Sequence, residues 1–527
     1  MVAVVGRCRI WPFLLLAVVF SACSPPPPAN TLIYGRGEDA NTLDPVNTDI
    51  GEAVNVIVNI FDTLVTYRDE STELAPGLAT EWKHNDEGTL WTFQIRPGVS
   101  FHDGSPLTAE AVKFSFERLL LPDHPALFDK ARPYQSSYKM IKEVRVTGEL
   151  EVVFELFEPS AVFLKNLTMF PASIVSPAAV KMRQAKFAEQ PSGTGPFRIV
   201  KWDKDQKLVL AAFKECWNGP PGVEHLIFLP VKESTTRIEQ LKRGEIHIAD
   251  NLPPAELDSL AKRQDVVVQS QDGMNVAYLS MQTEKPPLNS VAVRQAIWLA
   301  IDKPSLIKVA YAGQAAPAVT LVPPPMWGHH RELQDRPFNP AEARQILQSA
   351  AEKEGFQLPL ELTLAVMSQP RPYMQDPKTV AGFLKDALRE VGINLTVESR
   401  DVNQHFPHVM AGKHQLAVGG WSSDNNDPDN FLYPLLDSDN ISEHGNNLSR
   451  YRNDAFHQLI LAGQRELDVD KRLGIYREAQ EIAFADAPVV PLVHTRNRVA
   501  QSPRVKDYKL HPAGLVRLRR ARLEGTP

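Results

Sequence analysis

Cysteine is scarce in this sequence, with three residues in 527. Cys8 and Cys23 lie close to the N-terminus, and Cys216 stands alone in the rest of the chain. We therefore expect neither an internal disulfide nor a cysteine-based metal site. A chain of this length can bury a large core without disulfides, and it is expected to divide into two or three lobes.

Long apolar runs and basic clusters are also missing. Beyond the N-terminus no stretch approaches the roughly 18 consecutive apolar residues of a membrane-spanning helix, so none is expected. The net charge is −6, and no Lys or Arg block marks a phosphate-tracking surface. The sequence therefore gives no reason to expect a nucleic-acid partner.

The motifs of common enzyme active sites are absent. The sequence contains no Gly-x-Ser-x-Gly elbow, no His-Glu-x-x-His zinc helix and no Gly-x-x-x-x-Gly-Lys-Ser/Thr phosphate loop. The pairs His405 with His408 and His329 with His330 lack a third ligand on a helix. We interpret all four as surface or loop histidines, and we expect no catalytic residue, no metal and no cofactor.

The N-terminus has the pattern of an export signal. Two arginines precede an apolar stretch at 13–20 that is too short to span a bilayer, and two small residues and Cys23 follow. This order resembles the bacterial lipoprotein signal, which implies that residues 1–22 are removed and that Cys23 carries a lipid. Residues 23–30 would then be a stiff proline-rich tether. The alternative is a plain secretory signal cut nearby. We expect a periplasmic or otherwise extracytoplasmic, membrane-anchored lipoprotein.

Strand-like and helix-like stretches alternate along the remaining chain, which is typical of α/β architecture. Residues 91–96 alternate apolar and polar side chains as a half-buried strand does. Helices are predicted at 107–120 and 234–242, the second followed by a strand at 245–249. Asn339 is predicted to cap a further helix that begins at Pro340.

One supersecondary unit is clear in the second half of the chain. A strand at 360–366 is followed by a helix that ends near Gly392 and by a second strand at 393–398. This order predicts a parallel crossover, and ligands bind near the carboxyl ends of such strands. Residues 367–373 follow the first strand, and residues 419–431 follow another apolar run.

Residues 419–431 carry the densest polar signal in the chain. After Trp421, three aspartates and three asparagines occur within seven residues, and Phe431 closes the segment. Gly, Asn, Asp and Pro favour turns, so we predict that the whole segment is a loop. Its negative charge beside an aromatic wall suits an ammonium group, whereas the alternative is an ordinary solvated turn. A calcium loop starting at Asn425 fails because Leu436 occupies the position of the bidentate glutamate.

Arg371 and Tyr373 form the complementary signal. Two prolines flank Arg371 and restrict its backbone, so that its guanidinium offers a planar fork to a carboxylate beside the tyrosine hydroxyl. The alternative is a surface arginine in a proline-rich loop. Taken together, the two segments would bind a ligand with an ammonium at one end and a carboxylate at the other, such as an amino acid or a short peptide.

Several longer segments resemble the extracellular solute-binding proteins of peptide ABC importers, family 5, and in particular its dipeptide-binding branch. The segment IRPGVSFHDGSPLTAEAVKFS at 95–115 is the most specific of them. The others are found at 74–82, 192–197, 273–280, 293–303, 323–328, 371–373 and 420–431.

The resemblance implies a periplasmic binding protein-like II fold with two lobes and an additional inserted domain. Lobe I would comprise residues 31–60, 190–270 and 485–527, the inserted domain residues 61–189, and lobe II residues 271–484. It also implies that Asp424 pairs with the ligand ammonium, that Arg371 and Tyr373 take the carboxylate, and that Trp421 forms part of the pocket wall. Asp427 and Asp429 are assigned to holding the turn in shape.

The function implied is a non-catalytic receptor that closes over dipeptides or short peptides and delivers them to a membrane permease. We expect it to be a monomer. The alternatives within this fold are haem, glutathione, a nickel chelate or a longer oligopeptide as ligand, or a role as a peptide chemosensor. An exported peptidase is the alternative among enzymes.

Overall fold

A computed structural model describes residue 28 and residues 30–68, 71–443 and 445–525. The predicted signal peptide, Cys23 and most of the predicted tether lie outside the described residues. Within the described residues, no helix has the length and apolarity needed to cross a membrane.

The described residues contain twenty β-strands. In chain order these are β1 Thr31–Arg36, β2 Val65–Tyr67, β3 Leu74–Pro76, β4 Ala79–His84, β5 Leu90–Ile95, β6 Ile141–Gly148, β7 Glu151–Leu156, β8 Phe197–Asp203, β9 Lys207–Ala212, β10 His225–Pro230, β11 Ile248–Ala249, β12 Val267–Asp272, β13 Asn275–Met281, β14 Ala315–Pro317, β15 Leu360–Met367, β16 Ile393–Arg400, β17 Leu416–Ser422, β18 Val489–Gln501, β19 Val505–Lys506 and β20 Arg522–Leu523.

Fourteen α-helices accompany them in the same part of the chain. These are α1 Gly51–Ile60, α2 Ala109–Leu120, α3 Phe163–Asn166, α4 Pro177–Arg183, α5 Ser234–Lys242, α6 Pro254–Leu260, α7 Val291–Leu299, α8 Lys303–Ala310, α9 Pro340–Glu354, α10 Pro377–Arg389, α11 Val402–Met410, α12 Asp429–Leu436, α13 Asp454–Arg465 and α14 Val469–Asp486.

Twelve strands form one mixed sheet with the order β16-β15-β17-β13-β18-β11-β1-β10-β9-β8, and β12 and β14 pair with β18 beside this path. The long strand β18 joins the two halves of the sheet. Its first residues pair with β13 and its last residues pair with β11 and β12. Strand β12 leads directly into β13 through Gly273. The β12–β13 segment and β18 therefore run side by side, in opposite directions, from one half of the sheet to the other.

A separate antiparallel sheet has the order β4-β5-β7-β6 and lies entirely within residues 61–189. Its inner face packs against α2 around Phe93, Phe116 and Phe154. Two other large apolar clusters fill the two halves of the main sheet. A further cluster lies around Phe431, Leu435 and Tyr476. The division of the chain into lobe I, inserted domain and lobe II stays a prediction.

The predicted strand-helix-strand unit is confirmed. Strands β15 and β16 pair in parallel from Leu360 with Ile393 to Met367 with Arg400, and α10 connects them. The predicted Asn339 cap is also confirmed, because its side chain accepts a hydrogen bond from the backbone N–H of Glu342. Strand β17 runs parallel to β15 on its other side.

The prediction that residues 419–431 form one loop is wrong at both ends. Strand β17 continues through both glycines to Ser422, because Gly419 to Ser422 pair with residues 278 to 275 of β13. Helix α12 begins at Asp429 and contains Phe431. The loop is confined to residues 423–428, which we term the aspartate loop.

The interpretation of the histidine pairs as surface or loop residues is wrong for His405. This residue is 1% exposed and lies on α11, whose apolar residues Phe406 and Val409 pack on the sheet. His408 lies on the same helix and is partly exposed. Pro407 lies inside this helix. Because proline usually interrupts helices, the sequence does not indicate a helix here.

Candidate functional site

The carboxyl ends of three neighbouring parallel strands form the edge of a large cavity. In spatial order these strands are β16, β15 and β17. Residues 368–374, which we term the arginine loop, follow β15, and the aspartate loop follows β17. The cavity has a volume of about 2260 Å³, and all four predicted ligand-binding residues line it: Arg371, Tyr373, Trp421 and Asp424.

Asp424 is a carboxyl group without a cationic partner among the described residues. Tyr134 donates a hydrogen bond to its Oδ2 at 3.2 Å. Its backbone N–H donates to Asn430 Oδ1 at 2.9 Å, and the same oxygen accepts a hydrogen bond from Trp421 Nε1 at 3.3 Å. Asn430 therefore holds Asp424 and the Trp421 ring in a fixed relative position.

The electrostatic environment of Asp424 favours a bound cation. Burial raises the pKa of this carboxyl to about 7, and the negative charge of Asp49 adds to the increase. The hydrogen bonds from Tyr134 and Asn430 act in the opposite direction. An ionised carboxylate in such surroundings is energetically unfavourable unless a positive charge pairs with it.

The other two aspartates of this region are engaged within the protein. Asp427 makes two hydrogen-bonded contacts with the Arg472 guanidinium, at 2.9 and 3.1 Å, and both side chains are buried. Asp429 accepts a hydrogen bond from Gln464 at 2.9 Å. Burial and the neighbouring Asp427 raise the pKa of Asp429 to about 7. Both residues hold the local structure, as predicted.

The arginine loop is anchored through its backbone. Arg371 and Met374 exchange two backbone hydrogen bonds of 2.9 and 2.8 Å. The carbonyl of Pro372 accepts a hydrogen bond from Thr495 at 2.9 Å, and that of Tyr373 accepts one from Tyr311 at 3.3 Å. The loop is thereby held against β18 and against Tyr311, the residue that follows α8.

The Arg371 side chain is left free by this anchoring. Its guanidinium makes no hydrogen bond to the described residues, and its Nε is buried. Burial raises the pKa of the Tyr373 hydroxyl, whereas the positive charge of Arg371 lowers it. A guanidinium that faces a cavity without a partner can take a carboxylate in a bidentate fashion.

The arginine loop contacts strand β17 at a glycine. The Tyr373 ring lies so close to Gly420 that a Cβ at this position would be 2.1 Å from the ring atom Cδ2. Gly419 is covered in the same way by Tyr278. The glycines of β17 therefore make room for the rings of Tyr278 and Tyr373.

Three residues of the site were missed in the sequence. Asp49 and Tyr134 line the cavity from the part of the chain before residue 190, and His405 lines it from α11. Burial raises the pKa of Asp49, whereas the positive charge of Arg371 lowers it. No local pattern distinguishes Asp49 or Tyr134, because their role depends on residues hundreds of positions away in the sequence.

The aspartate loop also contacts the predicted inserted domain. Asn425 Nδ2 donates to Asn166 Oδ1 at 2.6 Å, and Asn426 Nδ2 donates to the hydroxyl of Thr72. Nearby, the backbone N–H of Ala161 donates to the carbonyl of Gln464 at 2.8 Å. These contacts bring residues 61–189 and residues 271–484 together over the cavity.

One group of side chains among the described residues has the spacing of a metal site, namely Asp437, Asp439 and His457. Asp437 is already paired with His457 at 3.0 Å, and Asp439 lies 3.4 Å from Lys139. These pairings account for the group without an ion.

Comparison with known proteins identifies relatives over nearly the whole chain. Residues 73–443 match the family model described as bacterial extracellular solute-binding proteins, family 5 Middle. Di/tripeptide-binding protein 1 of Pseudomonas aeruginosa (strain UCBPP-PA14) is 32% identical over 529 residues, which cover 97% of this chain and 97% of that protein.

Two solved structures are similar in both sequence and fold. The ABC transporter-associated periplasmic binding protein DppA of Helicobacter pylori, in complex with the peptide STSA, has a TM-score of 0.86 and 30% identity and covers 94% of this chain and 98% of its own. A dipeptide-binding protein of Pseudoalteromonas sp. SM9913, in complex with Met-Leu, has a TM-score of 0.86 and 27% identity and covers 94% of this chain and 100% of its own. The predicted fold class is confirmed.

Proposed function

This chain belongs to family 5 of the bacterial extracellular solute-binding proteins, and on that basis we propose that it is the extracytoplasmic receptor of an ABC importer for dipeptides and other short peptides. Members of this family are binding proteins rather than enzymes. The observation that carries the proposal is the pair of unmatched charges, Asp424 and Arg371, in the lining of one cavity.

Asp424 binds the α-ammonium of the ligand. Its carboxyl group is held in place by Tyr134 and Asn430 and has no Lys or Arg partner among the described residues. A ligand ammonium would supply the missing positive charge, and Trp421 would form the wall beside it. An uncharged amine or an N-acetylated peptide leaves the buried carboxylate unpaired, so it is rejected.

Arg371 binds the ligand carboxylate, with Tyr373 beside it. The arginine loop is fixed by backbone hydrogen bonds, so the guanidinium is presented without a large loss of conformational entropy. Because Asp424 and Arg371 lie at the ends of adjacent strands, the separation between them selects ligands by length. A cavity of about 2260 Å³ exceeds the roughly 300–1,000 Å³ of ordinary small-molecule pockets, which leaves room for varied side chains and water.

Ligand binding is coupled to closure of the lobes. The contacts of Asn425 and Asn426 with residues 61–189 form only when the two sides of the cavity are together. The ligand stabilises this closed state to the extent that it binds both sides. The connections through β12–β13 and β18 are where the hinge would lie.

The closed receptor then delivers its ligand to a membrane permease, and it is held at the membrane by a lipid on Cys23. The proline-rich residues 23–30 give the folded part a stiff tether of short reach. The receptor acts as a monomer.

Mass spectrometry of small molecules released by denaturing the purified protein tests the ligand class directly. We expect dipeptides and tripeptides, whereas haem or a nickel chelate as the released species contradicts the proposal. Calorimetry on the emptied protein should then give binding of Ala-Ala and none of N-acetyl-Ala-Ala.

Replacement of Arg371 tests its role in selecting ligand length. Arg371→Ala should weaken binding of Ala-Ala more than that of Ala-Ala-Ala, because only the shorter peptide has its carboxylate opposite this residue. Arg389→Ala, at the exposed end of α10, removes the same charge away from the cavity and serves as the control. Equal losses for the two peptides contradict the role of Arg371 in length selection.

A further inference from the structure

One carboxylate in the cavity lining takes no part in the ligand contacts described above. Asp49 lies between a 3₁₀-helix at Pro45–Asn47 and α1, and its side chain is exposed to the cavity. Apart from its own backbone N–H, this carboxylate has no hydrogen-bond or ion-pair partner among the described residues. The protein therefore places a negative charge in the cavity without pairing it.

The backbone around Asp49 is held in place on both sides. Before it, Asn47 Nδ2 donates to the carbonyls of Asp129 and Ala131 at 3.0 and 2.6 Å. The buried hydroxyl of Thr48 accepts a hydrogen bond at 3.1 Å from the backbone N–H that follows Asp49. A ligand that pairs with Asp49 therefore orders little more than the aspartate side chain, which keeps the entropic cost of the contact small.

The same contacts bring Asp49 close to the proposed ligand-binding residues. The segment that Asn47 holds continues to Tyr134, whose hydroxyl donates to Asp424 at 3.2 Å. In addition to burial, the negative charge of Asp49 raises the pKa of Asp424, and the positive charge of Arg371 lowers the pKa of Asp49. Because such interactions weaken with distance, Asp49 lies within electrostatic reach of both ends of the proposed site.

The charges of a bound dipeptide leave Asp49 unmatched. The ligand ammonium pairs with Asp424, and the ligand carboxylate pairs with Arg371, which is the cation that acts on Asp49 in the empty cavity. Asp49 is then a negative charge beside the ligand without a cation of its own. A basic ligand side chain supplies this cation, whereas an acidic side chain adds repulsion.

We propose that Asp49 is a specificity-determining residue that favours peptides with a basic side chain, such as that of lysine or arginine. The inference rests on the proposed peptide-binding function and names the class of peptide that the receptor prefers. Because Asp49 acts on both ends of the site, the basic side chain can belong to either residue of a dipeptide.

Calorimetry with matched peptides tests this role. Wild-type protein should bind Lys-Ala or Ala-Lys about fivefold more tightly than the counterpart with norleucine, which has the same carbon chain without the ammonium. Asp49→Asn should remove this preference, and Asp49→Glu, which keeps the charge, should retain it. Asp386→Asn, on the exposed face of α10, makes the same charge change outside the cavity and should also retain it.

The two peptide pairs identify the position of the basic side chain. A preference for Lys-Ala alone assigns Asp49 to the first residue of the ligand, and a preference for Ala-Lys alone assigns it to the second. Equal wild-type affinities within both pairs, or a preference that persists in Asp49→Asn, overturn the role of Asp49, while binding of Ala-Ala to the wild type still upholds the proposed function. Failure of every peptide to bind the wild type overturns both.

Discussion

Asp424 and Asp427 lie three residues apart in opposite electrostatic environments. Asp427 is buried against Arg472 and needs no further partner. Asp424 has only neutral hydrogen-bond donors, and burial raises its pKa to about 7. The fold therefore gives Asp427 a cationic partner and leaves Asp424 without one, and Asp424 faces the cavity.

Replacement of Asp424 by Asn tests the ammonium site. We expect peptide affinity to fall by about 2–5 kcal/mol, the usual cost of losing one partner of a buried charge pair. Calorimetry measures this loss, and thermal unfolding of the empty protein should be little changed or improved. Asp386→Asn removes an exposed carboxylate on α10, outside the cavity lining, and serves as the control. Unchanged peptide affinity in Asp424→Asn contradicts the ammonium role.

Peptide affinity should also depend on pH near neutrality. With a pKa of about 7 in the empty site, Asp424 is protonated below this pH and must lose its proton to pair with an ammonium. Affinity should therefore fall about fivefold from pH 8 to pH 6, because the loss of carboxylate is partly offset by protonation of the peptide amine. The same shift stabilises the empty protein at low pH, and this contribution is lost as pH rises through 7. Calorimetry in buffers of different ionisation enthalpy should detect the released proton.

The Asp424→Asn variant is the control for this dependence, because Asp429, which accepts a hydrogen bond from Gln464, also has a pKa of about 7. Loss of the fall in affinity in the variant assigns the effect to Asp424. If wild-type affinity is constant between pH 6 and pH 8, the carboxyl group is already ionised in the empty site.

The ligand-binding residues predicted from the sequence are those with a local signal. Arg371 stands between two prolines, and Asp424 lies in the densest run of Asp and Asn. Tyr134 has no such signal and reaches Asp424 from 290 positions away. His405 was assigned to the surface because Pro407 interrupts the helical pattern around it. Residue types in sequence thus indicate a chemistry, while the partners that tune it depend on tertiary contacts.

At the scale of elements, the strand-helix-strand unit was predicted accurately because its apolar periodicity is strong. Residues 419–422 were not, because Gly-Gly before a polar run favours a turn in isolation. In the structure, backbone pairing with β13 and the covering rings of Tyr278 and Tyr373 outweigh this preference. Context overrides the weak local tendencies of strands.

Gly420 of β17 lies against the Tyr373 ring of the arginine loop, so Gly420→Ala should disturb this loop without altering a charge. The added methyl group would meet the Tyr373 ring at 2.1 Å, and the ring must move away together with the backbone of the loop. We expect peptide affinity to fall by about tenfold or more, as for a displaced charge-assisted contact. Gly382→Ala on α10 has open space around it and should leave affinity unchanged and stability equal or higher. Calorimetry measures the peptide affinity of both variants, and thermal unfolding measures their stability. Unchanged peptide affinity in Gly420→Ala contradicts a role for this contact in positioning the arginine loop.

For the whole molecule, the α/β class follows from the alternating pattern, and the two-lobed architecture follows from the resemblance to a known family. The contacts that join the lobes could not be predicted, because each combines residues that are distant in sequence and polar in character. Asn425 and Asn426 are examples: in sequence they are ordinary turn residues, and in the structure they reach Asn166 and Thr72.

Thr72→Val tests whether these contacts hold the lobes together. The substitution keeps the shape of the side chain and removes the hydroxyl that accepts the hydrogen bond from Asn426. Loss of one such bond should lower peptide affinity about threefold to tenfold, because the closed state becomes less favourable while Asp424 and Arg371 are untouched. Small-angle scattering should give a larger radius of gyration at subsaturating ligand, with stability of the empty protein unchanged. Thr147→Val, whose hydroxyl bonds only to Glu151 on the same sheet, should behave as wild type. If Thr72→Val has the same peptide affinity and radius of gyration as Thr147→Val, the aspartate loop binds ligand without holding the lobes closed.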